Sequence, residues 1–151
     1  MGRVRVIDLR DAAATEDFGR RLARVVQPGD VITLQGDLGA GKTSLARGLL
    51  AGLGLLGEAP SPSFAIVQPY APPEVRIPVL HVDLYRIDDP GEIEELGLDE
   101  ARGASVLIVE WPERAGAGYW TDALVIRIDP AGNGRRLTAE VPEAWRPRWP
   151  I

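Results

Sequence analysis

Between an apolar run at residues 31–34 and a stretch of helical spacing from about residue 43 to residue 53 lies Gly36-Asp37-Leu38-Gly39-Ala40-Gly41-Lys42-Thr43. Gly36, Gly39 and Gly41 permit a tight backbone path, and a lysine and a hydroxyl follow where the helix begins. In the order strand, glycine-rich turn, helix, successive backbone N–H groups and the positive end of the helix dipole point at one spot, which suits phosphate oxygens. The pattern reads as a P-loop. Lys42 is expected to reach the β- and γ-phosphates, the Thr43 hydroxyl to ligate magnesium, and Asp37, Leu38, Gly39, Ala40, Gly41 and Ser44 to line the phosphates. The expected ligands are therefore ATP or ADP with Mg2+. Of 17 basic residues 16 are arginine, and the only lysine is Lys42, at the one position where this chemistry uses a compact, flexible ammonium.

A chain of 151 residues that is 45% hydrophobic can bury a core without a metal or disulfide staple, so one domain over 1–151 is expected. The absence of cysteine excludes disulfides, thiolate zinc sites and cysteine nucleophiles. No early stretch reads as a signal peptide and no apolar run is long enough for a membrane span, which leads us to expect a cytoplasmic protein. A net charge of -5 argues against a broad electrostatic grip on nucleic acid.

Along the chain, residues 4–9 alternate as a half-buried strand, and residues 15–26 carry Phe18, Leu22 and Val25 or Val26 on one helical face, with Thr15 as N-cap. The proline-rich stretch 57–78 is expected to be loop, with an edge strand at 64–67. Residues 79–85 read as a strand, Asp89-Pro90 opens a short acidic helix over 92–96, and 105–109 is a buried strand ending in Glu110. Residues 124–128 and 137–141 flank Pro130-Ala131-Gly132-Asn133-Gly134 as a hairpin. The segment 142–151, with Trp145 and Trp149, is expected to lie peripherally over the sheet edge or to form a partner-docking tongue. The expected fold is a three-layer α/β P-loop domain with a mixed, mainly parallel central sheet, its parallel part built on the strands at Val31, Val79 and Val106, and a C-terminal antiparallel hairpin.

Magnesium held by a P-loop hydroxyl is usually completed by a carboxylate from a neighbouring strand end. Asp83 and Glu110 both end apolar strands, and spacing alone does not say which touches the ion. Both are candidates for metal binding and for catalysis, with Lys42. His81, two residues before Asp83, points to the same strand face; it is a structural hydrogen-bonding group or a general base. Ser61-Pro62-Ser63-Phe64 lies where switch segments sit in P-loop proteins. The acidic stretch 88–100 reads as a solvated helix face.

Four pieces together, the P-loop, Ser61-Pro62-Ser63-Phe64, His81-Val82-Asp83-Leu84-Tyr85-Arg86 and Glu110-Trp111-Pro112-Glu113, resemble the TsaE family of small bacterial P-loop ATPases required for threonylcarbamoyladenosine formation in tRNA. The resemblance implies that Thr43 and Glu110 serve magnesium, that Asp83 is needed for hydrolysis, that 61–64 is the switch and that Trp111 sits beside the metal site. It implies, more weakly, a nucleotide contact at Gly134, followed by Arg135. Ser63 stands where the family has threonine, and the segment 11–15 matches too loosely for residue assignments. The family's partners would be the TsaB and TsaD proteins, with tRNA reached indirectly through them, which agrees with the acidic chain. Two other readings remain open on the residues: a small-molecule kinase with Arg86 or Arg102 on a lid, and a nucleotide-gated binding module. No arginine finger is identifiable, so intrinsic hydrolysis is expected to be slow.

Overall fold

A computed structural model describes residues 3–37, 41–57, 67–116 and 118–149. Its centre is a seven-stranded sheet, in spatial order β1 (Arg3–Leu9), β7 (Gly134–Val141), β6 (Leu124–Ala131), β2 (Val31–Gln35), β5 (Val106–Glu110), β4 (Val79–Asp83), β3 (Val67–Tyr70). β6, β2, β5 and β4 run parallel, while β3, β7 and β1 pair antiparallel with their neighbours. The expected mixed sheet and C-terminal hairpin are both present. The hairpin goes further than expected, because its first strand joins the parallel run beside β2.

Helices α1 (Ala12–Ala23) and α2 (Lys42–Gly52) cover one face. Their core includes Phe18, Leu22, Leu45 and Leu49 against Ile32, Leu34, Ile108 and Ile126. Alternate residues of the same strands, Val31, Leu107 and Val109, face a second cluster with Leu84 just after β4, Ile93 from a 3₁₀ turn and Leu98 from α3 (Leu98–Arg102). Period-two alternation in strands buried on both faces thus divides the two layers. The helices of the first layer touch closely: a Cβ on Gly48 would overlap the Glu16 carbonyl, and one on Gly19 the Leu45 carbonyl.

Several boundaries differ from expectation for local reasons. The cap of α1 is Asp11, whose side chain accepts from the Ala14 N–H at 2.9 Å, while Thr15 lies inside the helix and its hydroxyl donates to the Asp11 carbonyl. An edge strand is described at Val67–Tyr70, and it carries Pro69, which an edge strand tolerates; of the strand expected at 64–67, residues 64–66 lie outside the described residues. The acidic segment is a 3₁₀ turn, Pro90–Leu96, capped by Asp89 and closed by Gly97 at φ 67°. The segment after Val141 is not peripheral. Its 3₁₀ turn, Glu143–Arg148, places Trp145 in the first core at 1% exposure, and the Trp149 ring packs 6.1 Å from Phe18. Two tryptophans bring more apolar area than a peripheral strap leaves in water.

Candidate functional site

The site lies at the C-terminal ends of β2, β4 and β5, where α2 begins. Gly41 stands before α2 at φ 114°, a conformation that favours glycine, and Lys42 is the first helical residue. Thr43 and Ser44 follow in the first turn. Leu38, Gly39 and Ala40 lie outside the described residues, as does the switch segment 61–64.

Parallel register fixes the carboxylates. β4 pairs with β5 so that Asp83 faces Glu110 directly, with His81 opposite Ile108. Residues 79, 81 and 83 of β4 and 106, 108 and 110 of β5 share the face covered by α2. The His81 imidazole Nε2 lies 2.6 Å from Glu110 Oε2, both side chains nearly inaccessible. Asp83 Oδ1 accepts the Tyr85 N–H at 2.9 Å. Burial pushes the Asp83 carboxyl above its ordinary value, against the Tyr85 N–H that lowers it, and neighbouring Glu110 adds to the rise.

Lys42 is only 4% exposed, and its Nζ has no hydrogen-bond partner among the described residues. Burial lowers its pKa, while Glu110, Asp83, Glu113 and Asp37 pull the other way. What the ammonium does touch is the Trp111 ring, with Nζ 3.9 Å from the centroid. Trp111 sits at φ 56° and ψ 49°, the only non-glycine at positive φ among the described residues, and it stacks tilted against Tyr85 at 4.9 Å. An aromatic residue in this region costs about 1–3 kcal/mol and persists only where the surroundings dictate it.

These residues fit a phosphate and a hard cation. A buried ammonium with no partner is costly unless an anion completes it. Two carboxylates in register beside it supply oxygen donors. No group of three or more acidic, histidine or cysteine side chains that could hold a metal ion is found among the described residues.

The structure brings Lys42, Asp83 and Glu110 to one place. Gly134 has another reason to be glycine: a Cβ there would overlap the Leu9 carbonyl and crowd Arg10. A cavity of about 380 Å³ opens beside it, lined among others by Arg10, Gly132 and Arg135. Sequence reasoning missed the place of Arg135, whose guanidinium packs against Gly41 closely enough that a Cβ there would strike it. The only signal was its position after Gly134, since the contact depends on the hairpin standing beside β2. Arg102, weighed as a lid arginine, pairs with Asp122 and donates to the Gly29 carbonyl, at the end of the sheet away from the loop.

The family model described as Threonylcarbamoyl adenosine biosynthesis protein TsaE matches residues 9–137. The tRNA threonylcarbamoyladenosine biosynthesis protein TsaE of Streptomyces coelicolor is 43% identical over 116 residues, 76% of this chain and 78% of that one. Its namesake in Bacillus subtilis is 40% identical over 123 residues, 81% of this chain and 75% of the other. The crystal structure of YdiB from Bacillus subtilis superimposes with a TM-score of 0.80 at 31% identity, covering 95% of this chain and 89% of that one. With a family model over residues 9–137 and relatives of 40% identity and more over most of its length, the chain belongs to the TsaE family of threonylcarbamoyladenosine biosynthesis proteins.

Proposed function

We propose that this protein is a magnesium-dependent, slowly hydrolysing ATPase that supports tRNA threonylcarbamoyladenosine formation as an accessory subunit with the TsaB and TsaD proteins. The observation that carries the reading is the buried Lys42 ammonium, unpaired among the described residues and placed between the loop and the Asp83–Glu110 pair. Lys42 and the α2 N-terminus would offset phosphate charge, and Arg135 beside Gly41 adds a second cation at the loop. The cavity beside Gly134 and Arg135 is of a size to take the nucleoside. Thr43 with Glu110 and Asp83 would hold Mg2+, which when bound neutralises charge on the β- and γ-phosphates. Catalysis is then positioning and electrostatics, with no covalent protein intermediate. The acidic chain fits a role in which partners hold the tRNA, and none of its described helices is long and apolar enough to cross a membrane.

The kinase alternative loses support from Arg102, which is engaged far from the loop. The test is ATP hydrolysis by purified protein with Mg2+, alone and with TsaB and TsaD, using Lys42→Ala as control. Lys42-dependent hydrolysis that responds to the partners is expected. Tight ATP binding without hydrolysis in either condition would overturn the ATPase reading in favour of a nucleotide-gated module.

A further inference from the structure

The buried contact between His81 and Glu110 is not used by the P-loop chemistry described above, and nothing in that chemistry requires a histidine. We propose that His81 is a positioning residue: its Nε2–H holds one oxygen of Glu110 and so presents the other to the metal. This inference rests on the nucleotide–magnesium reading of the site.

Three observations carry it. The contact is 2.6 Å between side chains exposed by 2% and 7%, so water does not compete for it. A carboxylate oxygen accepts, so the Nε2–H is the donor of this contact; Nδ1 is buried with no hydrogen-bond partner among the described residues. A histidine kept for packing or for its own hydrogen bonding would not leave one ring nitrogen unsatisfied, and a structural network would be expected to complete it.

The third observation is the register. Glu110 faces Asp83 directly, and like charges facing each other across neighbouring strands repel. His81 lies one step back on β4, opposite Ile108, at a diagonal spacing that long side chains bridge. The hydrogen bond therefore ties the Glu110 carboxylate to an N–H donor on the preceding pair. A glutamate has three side-chain torsions to order, at an entropic cost, before its carboxylate is placed. An imidazole already locked in the core removes that cost before the metal arrives, the role that partners of metal ligands play elsewhere.

The experiment compares His81→Leu, His81→Gln and His81→Asn in the full chain. A glutamine amide nitrogen reaches about as far as Nε2, whereas an asparagine amide nitrogen matches Nδ1 and falls short of Glu110. Readouts are Mn2+ affinity of the protein–ADP complex by paramagnetic resonance, the Mg2+ concentration giving half-maximal hydrolysis, and ADP affinity without metal. Expected are a loss of about 10- to 100-fold in metal affinity for the leucine and asparagine variants, recovery of most of it with glutamine, and unchanged metal-free ADP affinity in all three. Should the leucine variant fail to fold, the contrast between glutamine and asparagine decides. Equal metal affinity in those two variants, or wild-type affinity in a folded leucine variant, overturns the positioning role while leaving the ATPase reading intact. Wild-type protein that binds ADP with no response to divalent metal overturns both.

Discussion

Lys42 and Arg148 are both cations drawn into the interior, at opposite ends of the same strand, and the fold treats them in opposite ways. Arg148 meets the Asp30 carboxylate with two N–H groups, at 2.6 and 3.1 Å, and also donates to the Val25 carbonyl at 2.8 Å. Its guanidinium lies 4.0 Å over the Trp145 ring, and Asp30 in turn caps the Gln27 N–H. The Lys42 ammonium has a ring face and the carboxylates of Glu110, Asp83, Glu113 and Asp37 around it but no hydrogen-bond partner among the described residues. A closed pair of this kind holds segments together. An open cation is a cost retained because something else completes it.

The strongest way to sharpen that contrast is to remove the open cation. Lys42→Met keeps much of the apolar volume and deletes the charge; hydrolysis of Mg-ATP should fall by about a thousandfold or more, about 4 kcal/mol of transition-state stabilisation. Thermal unfolding should show a midpoint equal to or above wild type, because the penalty of burying the ammonium goes with it. A variant with lost hydrolysis and a clearly lower midpoint would mean that Lys42 is a structural cation after all.

Breaking the closed pair should do the reverse. Asp30→Ala strands Arg148 beside Trp145 and frees the Gln27 N–H, at a cost of about 2–3 kcal/mol, somewhat under the loss for a fully buried pair because the two side chains keep 15% and 12% exposure. Denaturant unfolding measures the loss, and hydrolysis well below the midpoint should stay as in wild type.

The smallest effect belongs to a pair of the same chemistry left in water. Asp122 accepts from Arg102 with 60% and 31% of their side chains exposed, and that hydrogen bond holds the Asp122 carboxyl below its ordinary value. A depressed carboxyl contributes stability above its unfolded pKa and loses it as pH falls through the folded one. Asp122→Asn should therefore cost about 0.2–1 kcal/mol at neutral pH, and the gap to wild type should close below the usual carboxylate range. A gap that persists in acid would assign the loss to packing instead of charge.

Local features were legible before any fold was known. Glycines at 36, 39 and 41 before Lys42 and Thr43 point to a tight turn that opens a helix, and α2 does begin at Lys42, because backbone path is a property of a few consecutive residues. That His81 and Asp83 share a face follows from the two-residue period of a strand. The apolar runs at 31–34 and 105–109 declare central strands. Short-range reading failed where two local signals competed: Asp11 capped α1 in place of Thr15.

What the sequence by itself determined, then, is the loop, its lysine, the strand ends that carry Asp83 and Glu110, and the mixed α/β architecture, all written within single elements. Tertiary structure alone decided that Asp83 would face Glu110, that His81 would reach Glu110 across 29 residues of chain, and that Arg148 would close on Asp30 across 118. It alone decided that Trp111 would cover Lys42 and that Arg135 would lie against Gly41. The physical reason is that these contacts depend on strand order and register, which the packing of the helices on the seven-stranded sheet settles together and no stretch of a few residues encodes.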